Sequence, residues 1–223
     1  MFRPGCNSIL YPSFSSVYQE LKKNRDVPDR DEVRLKYEKM TLKISDNPPP
    51  CNPENIFDLD LDGLRPWWVA RTKSRQEKAL AWSLKKVGIS YYLPLVARPQ
   101  KNRKCLRISI VPLFTGYLFL RGTHMERYES LRTGRVAQVI PVEDQVSLRK
   151  ELQGISMVTA TEKRLELCDF VKKGQKARVI YGPFAGVEGI VERKKNRTRL
   201  ILTVQVIGQA VRVEINIDQV QLI

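Results

Sequence analysis

The chain is poor in the residues from which most catalytic and metal sites are built. It has one histidine, His124, and four cysteines, Cys6, Cys51, Cys105 and Cys168, with no C-x-x-C pair among them. A Cys/His zinc site therefore lacks its ligands, and scattered thiols fit a reducing compartment better than a disulfide framework. No G-x-x-x-x-G-K-[S/T] phosphate loop is present. No run approaches the ~20 apolar residues of a membrane-spanning helix. The first ten residues carry Arg3 and a short apolar stretch, without the long hydrophobic core and small-residue cleavage site of a secretory signal. The expectation is a cytoplasmic protein with no cofactor, no metal and no membrane attachment, acting as a monomer. Glu143 and Asp144 are adjacent acids, but at a predicted helix start they complement the positive end of the helix dipole. No enzyme is expected.

Acidic residues are also scarce relative to basic ones. Lys and Arg total 39 against 24 Asp and Glu, a net charge of +15. Such an excess suits a polyanionic neighbourhood, most simply nucleic acid or a nucleoprotein machine. Charge alone also fits plain solubility, so the sequence pattern has to decide.

Composition divides the chain. Residues 1–63 are rich in charge and turn formers and end in Asn47-Pro48-Pro49-Pro50-Cys51-Asn52-Pro53, where consecutive prolines oppose regular helix or sheet pairing. This segment reads as a weakly ordered extension, with short helices over Ser15 to Lys23 and Arg30 to Met40. From residue 64 to 154 strands interleave with helices. Trp67 to Thr72 is a first strand. Ser74-Arg75-Gln76-Glu77 reads as a capping box that opens a helix stopped by Gly88. Ile89 to Leu95, Arg107 to Val111, Tyr117 to Arg121 and Val136 to Ile140 are further strands. Helices are predicted near Met125 to Arg132 and Glu143 to Leu152. A basic excursion runs through Arg98, Lys101, Arg103, Lys104 and Arg107. The pattern predicts an α+β sandwich, one sheet with helices packed on it. Residues 155–168 lack a period and read as a linker. Residues 169–223 hold five short β segments between turn signals, Gly182-Pro183, Lys195-Asn196 and Gly208-Gln209. So many short strands in so few residues predict a small closed barrel, which removes open edges.

On a helical wheel the first helix separates two faces. Leu80, Leu84 and Val87 form an apolar stripe. Opposite lie Arg75, Lys78, Trp82, Lys85 and Lys86, with the indole among the cations. That face suits a phosphate backbone with a base on the indole, a stacking contact of ~1–3 kcal/mol. Equally, Trp82 could pack beneath the N-terminal extension with the lysines solvated around it.

Two segments carry a family resemblance. The first is Trp67-Trp68-Val69-Ala70-Arg71-Thr72-Lys73-Ser74-Arg75-Gln76-Glu77-Lys78 followed by Pro112-Leu113-Phe114-Thr115-Gly116-Tyr117-Leu118-Phe119. It resembles the N-terminal (NGN) domain of the NusG/RfaH family, with Thr115 where the family turn usually has proline. The second, Gly174 to Val191 with Gly182-Pro183-Phe184 and Gly186, resembles a KOW motif, whose glycines suit positive φ or close backbone approach. The two motifs in this order are far more specific than a KOW motif alone. The resemblance implies an NGN-type sandwich followed by a small SH3-like (KOW) β-barrel.

The resemblance further implies a transcription elongation or antitermination factor. Its NGN domain would bind the clamp helices of the largest RNA polymerase subunit, bridge the clamp over DNA and suppress pausing or termination. On this chain Trp68, Phe114, Tyr117 and Phe119 are the candidates for lining or supporting the polymerase site. Strand alternation sends about half of such residues into the core. Lys73, Arg75, Lys78, Trp82, Lys85 and Lys86 are the candidates for upstream-fork or non-template DNA. In the KOW part Gly182, Pro183, Phe184 and Gly186 would meet a partner, Rho or a small-subunit ribosomal protein. Phe184 has the alternative of plugging the barrel core. The extra N-terminal segment resembles specialised antiterminator members. A general NusG-type factor coupled to Rho-dependent termination, and a ribosome-associated KOW RNA-binding protein, remain the alternatives.

Overall fold

The computed structural model describes residues 29–31, 46–59, 64–102, 105–160, 165–169, 174–194 and 197–223. The helix expected over Ser15 to Lys23, and nearly all of that over Arg30 to Met40, fall outside the described residues.

The chain is α+β. Five strands form the central sheet: β1 (Cys51–Asn52), β2 (Trp67–Thr72), β3 (Ser90–Tyr92), β6 (Tyr117–Arg121) and β7 (Val136–Pro141), in the order β1-β3-β6-β2-β7 and antiparallel throughout. Because side chains alternate along a strand, this sheet has two apolar faces. Trp68, Ala70, Tyr91, Leu118 and Leu120 share one with Leu80, Ala81 and Leu84 of helix α1 (Glu77–Lys86). Trp67, Val69, Tyr92 and Phe119 face the other way, toward Leu148, Leu152, Ile155 and Val158 of helix α3 (Gln145–Ala160). Helix α2 (His124–Arg132) follows β6 and contacts β7.

The start of α1 differs from expectation. No side chain caps it, and its first turn begins at Glu77, three residues beyond Ser74. Arg75 takes a left-handed conformation, φ 58°, which interrupts any helix from Ser74. Glu77 is buried instead and accepts the Gly116 amide at 2.6 Å, tying the helix to the 112–116 turn. The capping box belongs to α2: Thr123 accepts from the Glu126 amide and Glu126 from the Thr123 amide, at 3.2 and 2.7 Å. Gly88, at φ 74°, does end α1.

The basic excursion is not a loop. Strands β4 (Leu95–Asn102) and β5 (Cys105–Pro112) pair along their full length as a two-stranded ribbon, separate from the central sheet's ladder.

The described part of residues 155–168, read from sequence as a linker, carries structure. Helix α3 continues through them to Ala160, and β8 (Leu165–Asp169) pairs antiparallel with β12 (Gln209–Ile215). A Cβ at Gly154 would sit 3.3 Å from Val187 Cγ1, so the glycine permits close packing. With β9 (Gln175–Val179), β10 (Glu188–Lys194), β11 (Arg197–Val204) and β13 (Val220–Leu222), β8 makes a six-stranded antiparallel sheet. Its order is β13-β9-β10-β11-β12-β8. One face buries Ala177, Val179, Leu200, Leu202, Val204, Val211 and Val213 around Phe184.

The end of the N-terminal segment is also part of the fold. Strand β1 pairs with β3 at the edge of the central sheet, immediately after three prolines. Pro50 has no amide to donate, but its carbonyl accepts from Leu93 N–H at 2.7 Å. Ile56 and Phe57 enter the core, and Arg149 Nε of α3 donates to Phe57 O at 3.0 Å. Phe57 stacks on Trp67, centroids 5.9 Å apart, and meets Tyr92 edge-on at 5.0 Å. Phe57→Ala should lower the free energy of unfolding by about 3–5 kcal/mol, the usual range for a buried phenylalanine. Chemical denaturation checks this; a loss below 1 kcal/mol would place the segment outside the cooperative core.

Candidate functional site

The four aromatic residues singled out from the sequence do not lie together. Phe114 and Phe119 meet edge to face, centroids 6.1 Å apart, on the α3 side of the sheet. Phe119 continues to Tyr92 at 6.2 Å, and thence to Phe57 and Trp67. Trp68 is on the opposite side. Its Nε1 donates to Gly122 O at 3.0 Å, His124 packs against its edge and the Arg127 guanidinium lies 5.2 Å from its ring centroid. Trp67, not Trp68, therefore belongs to the aromatic row, because neighbours on a strand face opposite ways.

Phe114 and Phe119 are themselves buried, so they support a surface and do not form one. Tyr117 is the partly exposed member, half-buried against the same cluster. The turn that presents it is fixed by the Phe114 carbonyl, which accepts from Tyr117 N–H, and by the Glu77–Gly116 bond. Burial pushes the Tyr92 hydroxyl far above its ordinary range, with the nearby Cys51 thiol adding to the shift. That phenol stays neutral and acts as core.

The basic helix face is partly taken up by the chain itself. Lys78 Nζ donates to Asn47 Oδ1 at 2.6 Å and to Ile110 O at 2.5 Å, so it fastens the N-terminal segment and the ribbon base to α1. Burial lowers its pKa, with the neighbouring Glu77 charge opposing the shift. The Trp82 indole N–H donates to Asp46 O at 3.3 Å, while Lys85 Nζ stands 5.3 Å from the ring centroid. Of the two readings of Trp82, contact with the N-terminal segment is thus present in the fold. Lys73, Arg75, Lys85 and Lys86 remain exposed, at the two ends of α1.

In the second unit Phe184 is buried in the strand core, the barrel-plug alternative, so it is not an exposed contact. Gly182 and Gly186, at φ 93° and 88°, make the turn around it, closed by Gly186 N–H to Val179 O at 2.8 Å. Exposed around that turn are Gly182, Pro183 and Gly186, together with Ile180 and Tyr181, the last two about half accessible. Sequence reasoning passed over Ile180 and Tyr181. The signal was available: alternation inward at Ala177 and Val179 leaves Ile180 facing out.

The two units meet along α3. Its far side packs on β11, and between them lies a cleft of about 560 Å³ bordered by Lys150, Glu151, Met157, Lys176, Val187 and Gln205. Glu151 accepts the Gln205 amide at 3.2 Å across this seam. Asp144, the acid at the start of α3, accepts the Ser147 amide at 2.8 Å and is a helix cap, as its position suggested.

These features form two units: an α+β sandwich with a supported aromatic turn and exposed cations, then a small β unit with an exposed turn. Residues 65–156 match the family model NusG, transcription termination factor nusG. Over that span the chain carries a domain of the NusG family. Comparison with curated proteins gave no match. A solved structure described as domain interaction in Thermotoga maritima NusG is similar at 20% identity, over 70% of this chain and 96% of that one. Its TM-score is 0.39, a superposition too loose to compare arrangements. Among the described residues no helix is long and apolar enough to cross a membrane.

Glu151 gives the seam a pH dependence. Burial pushes its carboxyl up from 4.5 to about 7, outweighing the Gln205 hydrogen bonds. A raised native pKa means the folded state holds the proton more tightly, so the stabilisation is complete below about pH 4.5 and is lost as pH rises through about 7. Glu151→Gln should therefore raise the melting temperature relative to the parent protein at pH 8 and leave it nearly unchanged at pH 4. An equal difference at both pH values would refute this origin.

Proposed function

We propose that this chain is an antitermination-type elongation factor. It binds the clamp helices of the largest RNA polymerase subunit through its NusG-type domain and bridges the clamp over DNA. A ligand that favours the closed clamp disfavours pausing in proportion to its differential affinity for that state. The observation that carries the reading is the NusG-type domain holding a partly exposed Tyr117 above a packed row of aromatic rings. A rigid, pre-organised aromatic turn is the kind of anchor that dominates interface energetics.

In this reading Phe114 and Phe119 hold the turn from below and Trp67 takes the place assigned from sequence to Trp68. Lys73, Arg75, Lys85 and Lys86 approach the upstream fork or the non-template strand, with Lys78 and Trp82 shaping that face from within. The second unit is a KOW domain that recruits a partner, Rho or a small-subunit ribosomal protein. Gly182, Pro183 and Gly186 form the contact turn, Ile180 and Tyr181 flank it, and Phe184 is its internal support.

Tyr117→Ala should reduce retention of RNA polymerase in affinity purification about tenfold, the equivalent of ~1.4 kcal/mol, without a matching loss of thermal stability. Retention equal to the parent protein would remove the aromatic turn from the interface. In transcription through a Rho-dependent terminator the protein should increase read-through. Earlier release would assign it instead to general NusG-type coupling with Rho, and recovery of ribosomal subunits without polymerase would assign it to the ribosome.

A further inference from the structure

The N-terminal segment reaches the basic face of α1 by a short path along the fold. β1 pairs with β3 at the sheet edge, and Asn52 Nδ2 donates to Ile89 O at 3.0 Å. Back along the chain from there, Pro50 and Pro48 are buried, with the Pro50 carbonyl on Leu93 N–H. Burial then falls away: Asn47 is half-buried and Asp46 exposed. These two residues are the ones that touch α1. Asn47 Oδ1 accepts from Lys78 Nζ at 2.6 Å, and Asp46 O accepts from the Trp82 indole N–H at 3.3 Å.

The segment is held unequally along its length. Its prolines have little backbone freedom to lose on docking, and both are covered. Asp46 and Asn47 hold on by surface hydrogen bonds. A neutral bond in contact with water contributes little net stability. The Lys78 bond is charge-assisted, but it is made by an ammonium group whose pKa burial lowers, so desolvation opposes the docked arrangement. Two of the three N–H donors of Lys78 are committed, to Asn47 and to Ile110. Withdrawal of Asn47 returns one donor to solvent and rehydrates the charge. Trp82 lies one helical turn on from Lys78, with Lys85 Nζ 5.3 Å from its ring centroid.

A phosphate oxygen is a stronger acceptor for an ammonium group than an amide oxygen, and an unstacked base is the natural partner of an indole among cations. We propose that Asp46 and Asn47 form an intramolecular cover on α1, and that this cover competes with a single strand of nucleic acid for the Lys78 ammonium group and the Trp82 indole. The inference rests on the nucleic-acid reading of the α1 face and adds a self-inhibitory contact to it. Cover and strand are then coupled reciprocally: each weakens the other by the same factor. The apparent affinity for the strand falls by the fraction of molecules left uncovered. The buried prolines set the limit of the movement, since β1 and the core beyond it stay in place.

The test uses the full chain and a labelled oligothymidylate, with binding followed by fluorescence anisotropy across a salt series. The proteins compared are the parent, Asn47→Ala, Lys78→Gln, these two combined, and Lys85→Gln with Lys86→Gln. Asn47→Ala should bind about fivefold more tightly than the parent. Its slope of log affinity against log salt should be steeper by about 0.7, one further phosphate on a single strand. With Lys78→Gln present, Asn47→Ala should bring no gain, because the ammonium group it frees is gone. Acrylamide quenching supplies a readout without nucleic acid: Trp67 and Trp68 are buried, so the accessible emission is that of Trp82, and it should rise in Asn47→Ala. The proposal is overturned if Asn47→Ala matches the parent in affinity and slope, or in quenching, or if its gain persists with Lys78→Gln. An equal gain toward a DNA duplex, which offers the indole no free base, also overturns it. If Lys85→Gln with Lys86→Gln binds as the parent does, the nucleic-acid face itself fails and the competition with it. That failure is told apart from a missing cover by the acrylamide difference, which then remains.

Discussion

The alternation of β2 is the constraint from which the first unit follows. Trp67 and Trp68 are adjacent and both buried, so they occupy opposite faces of the central sheet. A slip of one residue would exchange the faces and send each indole to the wrong helix. The strand is therefore fixed against both neighbours at once. Gln145 locks the register from the side: its side chain donates to Trp67 O at 3.0 Å and accepts from Trp67 N–H at 2.6 Å. The same residue stands at the start of α3. Placement of that helix, of the aromatic row and of the seam with the second unit thus traces back to one strand.

The strands were legible because they obey local rules. The aromatic, β-prone runs Trp67 to Thr72 and Tyr117 to Arg121, and the glycine after Val87, point to elements that the structure contains. What escaped depended on contacts distant in sequence. Glu77 looks like a capping residue beside Ser74, yet its partner is Gly116, across the sheet. Residues 155–160 look like the start of a linker, yet α3 runs on through them to pack on the second unit. The Pro-rich run looks like an unstructured tether, yet Pro50 offers its carbonyl to Leu93 and Phe57 finds a place among Trp67 and Tyr92. Tertiary packing overrides local propensity in each case.

The candidate site was legible in composition and less so in orientation. Phe114, Tyr117 and Phe119 share one cluster in the fold, but only Tyr117 reaches the surface. The choice between Trp67 and Trp68 rests on which face α3 covers, a fact no single strand encodes. Lys78 was indistinguishable from Lys85 on a helical wheel. What separates them is that Asn47 and the Ile110 carbonyl take up the Lys78 ammonium group. Phe184 was ambiguous for the same reason: a turn aromatic is a contact or a plug according to what surrounds it, and here Val179, Leu200 and Leu202 share its cluster.

The chain has three tryptophans, and each belongs to a different junction. Trp67 sits in the dry layer between sheet and α3, with Phe57 stacked on it. Trp68 lies on the α1 face, beneath the Arg127 guanidinium. Trp82 touches the N-terminal segment through the Asp46 carbonyl. Indole emission is sensitive to polarity and to nearby charge, so the intrinsic fluorescence of this protein is three spatially separate signals summed into one. Proteins retaining a single indole would resolve the sum, with separate optical channels for the α3 layer, the α1 layer and the N-terminal attachment.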